Sequence, residues 1–239
     1  MANEFQGKVL LITGASGTIG RALTNHFLAL DAIVCAQVNT GALEAHPKLH
    51  IFPIDFKSTD AARKMVESSI EAAGKIDFLI NNTANQEGFP FAAITAEHAD
   101  NVFRVNVSIP AELIALAAKA KVKVCLNISS IMANTARPGR AIYGASKAAL
   151  DSLTRSAGQE LTPMRTLGLR LGLVGKVGID QERARDVNSW KQAAPLKRYA
   201  TADEVAGVVE FLLSTANAWA TGLPMILMVE LQQKPTGNN

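Results

Sequence analysis

The sequence predicts one α/β domain, spanning residues 1–239, in which a doubly wound parallel sheet of about seven strands carries helices on both faces. Short apolar runs alternate along the whole chain with longer amphipathic stretches, beginning with KVLLI (8–12) and TIGRALTNHFLAL (18–30). That alternation is typical of parallel strands joined by helical crossovers. The length of 239 residues, 48% of them hydrophobic, is enough for one such domain with a sizeable core.

Each element is predicted from its local pattern. Five apolar runs are predicted to be buried strands: 8–12, 32–38, 49–54, 76–81 and 122–128. Two later strand candidates are 165–174 and 225–229. Helical patterns cover 18–30, 58–73, 95–120, 143–161 and 201–214. Thr201 with Glu204 has the spacing of a capping box at the start of the last helix, and the polar end 232–239 is predicted to be flexible.

Composition argues against several classes of partner. The net charge of +3 is small, so no nucleic-acid partner is expected. No run of about 18 apolar residues is present and the start, MANEFQGK, is polar, so we expect a cytoplasmic protein without a membrane span. Cys35 and Cys125 are predicted to be small buried side chains in a reducing compartment. No metal is expected, because the histidines lack ligand spacing: His26, His46, His50 and His98.

A glycine-rich turn, TGASGTIG (13–20), joins the first strand to the first helix. Glycines spaced three apart permit a tight turn and a close approach of the backbone to a pyrophosphate, which the helix N-terminus then holds. The alternative is a simple strand-to-helix turn. We predict that six turn residues bind a dinucleotide cofactor: Gly14, Ser16, Gly17, Thr18, Ile19 and Gly20.

The ends of the next strands complete the predicted cofactor site. Asn39 and Thr40 follow the second strand, where an acid would bind a ribose 2′-hydroxyl and repel a 2′-phosphate. Because no acid is present, NADP(H) is favoured over NAD(H). Asp55, followed by Phe56, could accept a hydrogen bond from the adenine amine or could cap the next turn. The end of the fourth strand is either where the backbone passes the cofactor or only a polar strand end: Asn81, Asn82 and Thr83.

Ser130, Tyr143 and Lys147 form a candidate proton-transfer set. Tyr143 and Lys147 are four residues apart on a predicted helix and therefore share one face. A phenol has a pKa of about 10, and a neighbouring ammonium is expected to lower it. Ser130 arrives from another element and could hold a carbonyl oxygen next to the phenol. Such a set suits proton transfer to or from an alcohol or ketone oxygen.

With these pieces in order, the chain resembles the short-chain dehydrogenase/reductase family, whose domain is of the Rossmann type. The resemblance extends from Gly7 to about Val229. TGASGTIG is similar to the TGxxxGxG turn, NNTA (81–84) to the NNAG segment, and Ser130, Tyr143 and Lys147 to the family triad with its 13-residue gap. Thr18 and Ala84 stand where these two motifs have a glycine. The chain departs from the family pattern at three later places: Leu171-Gly172 for Pro-Gly, Lys176 for threonine, and Met228-Val229-Glu230 for Asp-Gly-Gly.

The resemblance implies roles for individual residues. Tyr143 would be the general acid/base, Lys147 would lower its pKa and bind the nicotinamide ribose, and Ser130 would polarise the substrate oxygen. Asn106 would hold a water in a proton relay behind Lys147. Val174 would offer backbone groups to the nicotinamide carboxamide. The family also implies a small-molecule carbonyl or alcohol substrate and a homodimer or homotetramer.

Two segments are predicted to enclose the substrate. The segment 176–196 would be a lid, and its charges fit either a basic rim for an anionic substrate or a solvated helix with paired charges: Lys176, Arg183, Arg185 and Lys191 against Asp180, Glu182 and Asp186. Trp190 would be a substrate wall or a packing residue of the lid. The loop QEGFPF (86–91) would form the opposite wall, with aromatics that pack.

Three functions fit this pattern. The leading hypothesis is an NAD(P)(H)-dependent oxidoreductase acting on a ketone or secondary alcohol. A dinucleotide-binding regulator or scaffold is favoured by the three departures and disfavoured by the intact triad. An epimerase or dehydratase is suggested by the GxxGxxG spacing, but the chain has no room for the extra substrate domain of those enzymes.

Overall fold

The computed structural model describes residues 3–175, 192, 194–222 and 224–227. Seven parallel strands form one sheet in the order β3-β2-β1-β4-β5-β6-β7, which confirms the predicted doubly wound architecture. The strands are β1 (Val9–Ile12), β2 (Ile33–Val38), β3 (Leu49–Pro53), β4 (Phe78–Asn81), β5 (Val124–Ser130), β6 (Arg165–Leu171) and β7 (Pro224–Leu227). The described α-helices are α1 (Thr18–Ala29), α2 (Ala61–Ala73), α3 (Ala96–Phe103), α4 (Ile109–Lys119), α5 (Ala141–Glu160) and α6 (Ala202–Leu213).

Helices cover both faces of the sheet because successive strand side chains point to opposite sides. In β1, Leu10 and Ile12 join the apolar cluster under α1 and α6. Val9 and Leu11 join the cluster under α2 and α4. The central strands are therefore apolar on both faces, which is why their sequences are continuous apolar runs.

The third strand is not buried as predicted. β3 lies at the edge of the sheet, and Ile51 is 40% exposed. The sixth strand ends at Leu171, three residues before its predicted end at Val174. Val174 instead forms an isolated parallel bridge with Ala200, so the chain has already left the sheet there.

The predicted helix 95–120 is interrupted. Its N-terminal part is α3, its C-terminal part is α4, and a π-helical turn, Arg104–Ser108, lies between them. Pro110 in the first turn of α4 has no N–H to donate to the carbonyl of Asn106 four residues earlier. An interruption of the ladder at this place is therefore expected, and π turns of this kind are frequent at functional sites.

The segment Ala96–Lys119 is long and apolar enough, by length and composition alone, to cross a membrane. Within the fold, however, α4 packs into the core through Ile109, Leu113 and Ile114. The core helix of a soluble protein passes the same test, so this segment is weak support for a membrane span.

Two smaller predictions are confirmed. Thr201 Oγ1 accepts a hydrogen bond from the N–H of Glu204 at 3.1 Å, and Glu204 Oε2 accepts one from the N–H of Thr201 at 2.8 Å, which is the predicted capping box. Cys35 and Cys125 are free and fully buried, and burial raises the pKa of the Cys35 thiol to about 11.

The tail 232–239 lies outside the described residues, as does the predicted lid 176–196 except for residues 192 and 194–196.

Candidate active site

A cavity of about 590 Å³ runs along the carboxyl ends of the central strands. The chain proceeds from β1 to β2 and β3 on one side and returns to β4 on the other, so the switch point lies between β1 and β4. The cavity brings together most of the predicted site residues: Gly14, Ser16, Gly17, Thr18, Ile19, Gly20, Asn39, Thr40, Asn82, Thr83, Ser130, Tyr143, Lys147 and Val174. A larger hollow, of about 1170 Å³, contains none of them.

The glycine-rich turn needs its glycines for close approach. Gly14 has a φ of +63°, in the left-handed region that favours glycine. A Cβ at Gly20 would lie 2.2 Å from the carbonyl oxygen of Gly14. α1 begins directly after Gly17, and within the described part of the chain no side chain caps its N-terminus. Its first N–H groups therefore remain available to an anion at the cavity.

The turn is tied to the end of β4. The hydroxyl oxygen of Thr13 accepts hydrogen bonds from the N–H groups of Asn82 at 2.9 Å and Thr83 at 3.0 Å. The side-chain amide of Asn82 donates back to the carbonyls of Thr13 at 2.9 Å and Gly14 at 3.1 Å. Asn82 thus fixes the shape of the turn, a positioning role that the sequence analysis did not assign to it.

Gln37 is a further site residue that was not predicted from the sequence. This buried side chain accepts hydrogen bonds from the N–H of Gly14 at 2.7 Å and the hydroxyl of Thr83 at 3.0 Å, and it donates to the carbonyl of Ile54 at 2.6 Å. It joins the ends of β1, β2, β3 and β4. The available signal was one polar residue in the otherwise apolar run AIVCAQV, since a buried amide must find hydrogen-bond partners.

Asn39 and Thr40 are exposed residues that line the cavity where β2 ends. The loop that follows is tied to the glycine-rich turn by Arg21, whose guanidinium donates to the carbonyls of Ala42 at 2.8 Å and Ser16 at 3.3 Å. No aspartate or glutamate is among the described residues that line the cavity.

Three predicted cofactor residues do not line the cavity. Asp55 instead closes a local turn, because its carboxylate accepts from the N–H of Lys57 at 2.9 Å; this is the capping alternative. Phe56 is a core residue, 3% exposed, in the cluster under α2 and α4. Asn81 is buried under the site, where its amide donates to Asn127 Oδ1 at 2.8 Å.

The proton-transfer residues converge as predicted. α5 presents Tyr143 and Lys147 one turn apart, and the Lys147 Nζ lies 5.8 Å from the centroid of the Tyr143 ring. Lys147 Nζ donates to the carbonyl of Ile128 on β5 at 2.8 Å. Ser130 ends β5, and its Oγ accepts from the N–H of Met132 at 3.2 Å. All three members of the triad are at most 8% exposed.

Burial dominates the acidities of this set. It raises the pKa of Tyr143 above that of a free phenol, although Ser130 and Arg140 oppose the change. The predicted lowering of this pKa by Lys147 is therefore wrong for the site as described: desolvation of the phenolate outweighs the charges around it. Burial also lowers the pKa of Lys147 to about 8, against the opposing effect of Asp151.

Asn106 lies in the π-helical turn and is fully buried. Its side chain holds the chain after β4: Oδ1 accepts from the N–H of Asn85 at 2.7 Å, and Nδ2 donates to the carbonyl of Asn85 at 2.9 Å. Nδ2 also donates to the hydroxyl of Ser146 at 3.0 Å. The side chain thus braces the loop against α5, and its predicted role in holding a water stays a prediction.

The end of β6 lines the cavity at Leu171, and the segment that follows lines it at Leu173 and Val174. In the bridge to Ala200, the carbonyl of Leu173 and the N–H of Gly175 are the groups that bond, at 3.1 and 2.8 Å. Because alternate residues of an extended chain point their groups to opposite sides, the N–H and carbonyl of Val174 face away from Ala200. The departures at Lys176 and 228–230 lie outside the described residues.

The loop 86–91 lies beside the cavity, where Gln86 forms part of the lining. Arg140 donates to the carbonyl of Gln86, and the ring of Phe89 stacks on His98 with centroids 3.7 Å apart. Phe89 therefore packs against a neighbouring side chain, as predicted. Phe91 is 80% exposed, so it does not pack as predicted.

Comparisons with known proteins agree with this fold. The family model described as enoyl-(acyl carrier protein) reductase matches residues 14–227. D-erythrulose reductase of Gallus gallus is 28% identical, over 94% of this chain and 95% of the relative. The 3-oxoacyl-[acyl-carrier-protein] reductase of Thermotoga maritima is 28% identical, over 92% and 95%. The crystal structure of a short-chain dehydrogenase/reductase from Brucella melitensis has a TM-score of 0.89 at 27% identity, covering 98% of this chain and all of that one.

Proposed function

Because the chain belongs to the short-chain dehydrogenase/reductase family, we propose that it interconverts a ketone and a secondary alcohol by hydride transfer to or from a nicotinamide dinucleotide. One observation carries the proposal: a single cavity is lined both by the glycine-rich turn and by Ser130, Tyr143 and Lys147. A phosphate-binding helix start and a proton-transfer set in one cavity are what such a reaction requires.

The residues present fit the cofactor. The uncapped start of α1 at Gly17 would hold the pyrophosphate, since its free N–H groups and helix dipole favour an anion. Lys147 would bind the nicotinamide ribose, and the N–H and carbonyl of Val174 would bind the carboxamide. When bound, the nicotinamide exchanges the hydride with the carbinol carbon.

Tyr143 would transfer the proton. Its raised pKa keeps the phenol protonated near neutrality, so it would act as a general acid toward the oxygen of a ketone. Ser130 would hold that oxygen beside the phenol. Two relatives are named D-erythrulose reductase and 3-oxoacyl-[acyl-carrier-protein] reductase, which supports the reducing direction.

A water relay behind Lys147 would involve the backbone of Asn106 more readily than its side chain. The side-chain amide is already committed to Asn85 and Ser146. The carbonyl of Asn106 is the group that loses its α-helical donor at Pro110. The proposed water would therefore donate a hydrogen bond to this carbonyl.

NADP(H) is the cofactor we favour. The described lining of the cavity contains no carboxylate that would repel a 2′-phosphate, and Asn39 and Thr40 could donate hydrogen bonds to it. Arg21 lies in the same region, where it ties the loop after β2 to the turn, and it would add a positive charge near the phosphate.

The proposal is tested with the purified protein and both reduced cofactors. Quenching of nucleotide fluorescence gives the affinities for NADPH and NADH, and a panel of ketones gives turnover with each. Cofactor oxidation that depends on a ketone, with NADPH bound more tightly, is the expected result. Tight binding without turnover on a broad panel would favour the regulator or scaffold instead. The mass in solution tests the expected two- or fourfold assembly.

A further inference from the structure

A buried carboxylate lies one helical turn beyond Lys147. Tyr143, Lys147 and Asp151 are spaced four apart along α5 and therefore occupy one face of the helix. They are 8%, 2% and 1% exposed. Aspartate is rarely this buried without a specific partner. The partners of Asp151 therefore decide how its charge acts on Lys147.

The two oxygens of Asp151 have different surroundings. Oδ2 accepts a hydrogen bond from the Nε of Arg170 at 2.7 Å, and the Arg170 side chain is itself 12% exposed. Oδ1 is buried and has no hydrogen-bond partner among the described residues. Arg170 lies on β6, in register with Ser129 of β5, the residue that precedes Ser130. The carboxylate thus pairs with one cation and retains an uncommitted oxygen.

Few charged groups face Lys147. Among the described residues, its own helix presents the titratable phenol of Tyr143 and the carboxylate of Asp151. β5 contributes the neutral carbonyl of Ile128, and β6 contributes Arg170 through Asp151. Arg140, at the start of α5, acts on the phenol of Tyr143. Within the part of the chain that the structure describes, Asp151 is the carboxylate whose charge acts on Lys147, and it favours the ammonium.

We propose that Asp151 is a positioning residue that keeps Lys147 charged in the reaction, and that Arg170 limits this effect by sharing the carboxylate. The inference rests on the proposed function, since it gives Lys147 its role at the ribose and beside Tyr143. A carboxylate whose charge acts on two cations, one of which it pairs with directly, divides its attraction between them. Removing the charge of Asp151 should therefore favour the neutral amine of Lys147, whereas removing the charge of Arg170 should favour its ammonium.

Asp151→Asn and Arg170→Gln test the proposal as a matched pair. We expect Asp151→Asn to lower the midpoint of Lys147 titration by about one pH unit, because a nearby opposite charge is lost. Arg170→Gln should raise it, because the carboxylate then serves Lys147 alone. The midpoint is measured from the side-chain carbon shifts of Lys147 in protein labelled with ¹³C-lysine, assigned with Lys147→Arg.

The same variants are then followed by turnover. The alkaline limb of kcat/KM for ketone reduction should move down in pH for Asp151→Asn and up for Arg170→Gln. If the ion pair between α5 and β6 were purely structural, both variants should lose stability equally and the Lys147 midpoint should not move in opposite directions. Midpoint shifts in the same direction, or no shifts, overturn the proposal. Should Asp151→Asn fail to fold, the double variant with Arg170→Gln removes both charges, and its midpoint must lie below that of Arg170→Gln.

The carbon shifts do not depend on turnover. Opposite midpoint shifts in a protein that reduces no ketone would support the charge coupling and reject the proposed function. Turnover without opposite midpoint shifts would do the reverse.

Discussion

Replacing Gly20 by alanine should damage the cofactor site more than a single methyl group suggests. The added Cβ would lie 2.2 Å from the carbonyl oxygen of Gly14 and 2.7 Å from the Cα of Ala15, and both are backbone atoms. Ordinary contact begins near 3.4 Å, so α1 and the turn must separate by about 1 Å. Overpacking of this kind costs about 1–3 kcal/mol.

The same movement should reach the nucleotide. The carbonyl of Gly14 accepts hydrogen bonds from the N–H of Gly17 and from Asn82 Nδ2, both at 3.1 Å, and its displacement strains both contacts. We expect the Kd for NADPH to rise at least about tenfold, which corresponds to about 1.4 kcal/mol. Fluorescence quenching measures the Kd, and urea unfolding followed by circular dichroism measures the free energy of unfolding.

Gly207→Ala is the matched control. Gly207 lies inside α6, and a Cβ there would meet no atom within 4 Å. Alanine is a better helix former than glycine, so this variant should gain about 0.5–1 kcal/mol and keep its cofactor affinity. A Gly20→Ala protein with wild-type stability and wild-type affinity would refute the argument from close approach.

Three further predictions concern the cap, the cofactor and the buried lysine. Thr201→Ala should lower the free energy of unfolding by about 1 kcal/mol in urea, because the N–H of Glu204 loses its acceptor; an unchanged midpoint would contradict this. Asn39→Asp should weaken NADPH binding relative to NADH at least about tenfold in parallel titrations, because a carboxylate repels the 2′-phosphate; equal effects on both would argue against the assigned ribose end. Burial lowers the pKa of Lys147 from 10.5 to about 8. Between pH 8 and 10.5 the unfolded chain therefore holds a proton on Lys147 that the folded protein has released. The free energy of unfolding then rises with pH. The free energy of unfolding of the wild type minus that of Lys147→Met should therefore increase from pH 8 to 10, and a flat or falling difference would be inconsistent with a buried amine.

Much of the site was predictable because its signals are local in the sequence. The glycine spacing of 13–20 and the four-residue interval from Tyr143 to Lys147 each specify a backbone geometry without reference to distant residues. The carboxyl-end rule for parallel sheets then predicted that they meet, and the cavity contains both.

The rest depends on contacts between elements far apart in the chain. Gln37 is one polar letter in a strand, and its importance follows only from the approach of Gly14 and Thr83. Asp151 and Arg170 likewise become a pair only when α5 packs on β6. The burial that raises the pKa of Tyr143 is also a property of the assembled core, so neighbouring charges alone gave the wrong direction.

The burial of the edge strand β3 was overestimated for a related reason. LHIFPI is apolar enough to be a central strand, but strand order decides whether both faces are covered. β3 has a neighbour on one side only, and Ile51 remains 40% exposed.

The most direct test of the proposed chemistry is the rate of ketone reduction by Tyr143→Phe with NADPH saturating. Phenylalanine keeps the ring of this 8% exposed side chain and removes only the hydroxyl, so folding and the Kd for NADPH should be preserved. We expect kcat to fall by at least about 100-fold, the lower end of what a positioned general acid contributes. A folded, nucleotide-binding Tyr143→Phe protein that retained the wild-type rate would contradict the assignment of Tyr143 as the proton donor.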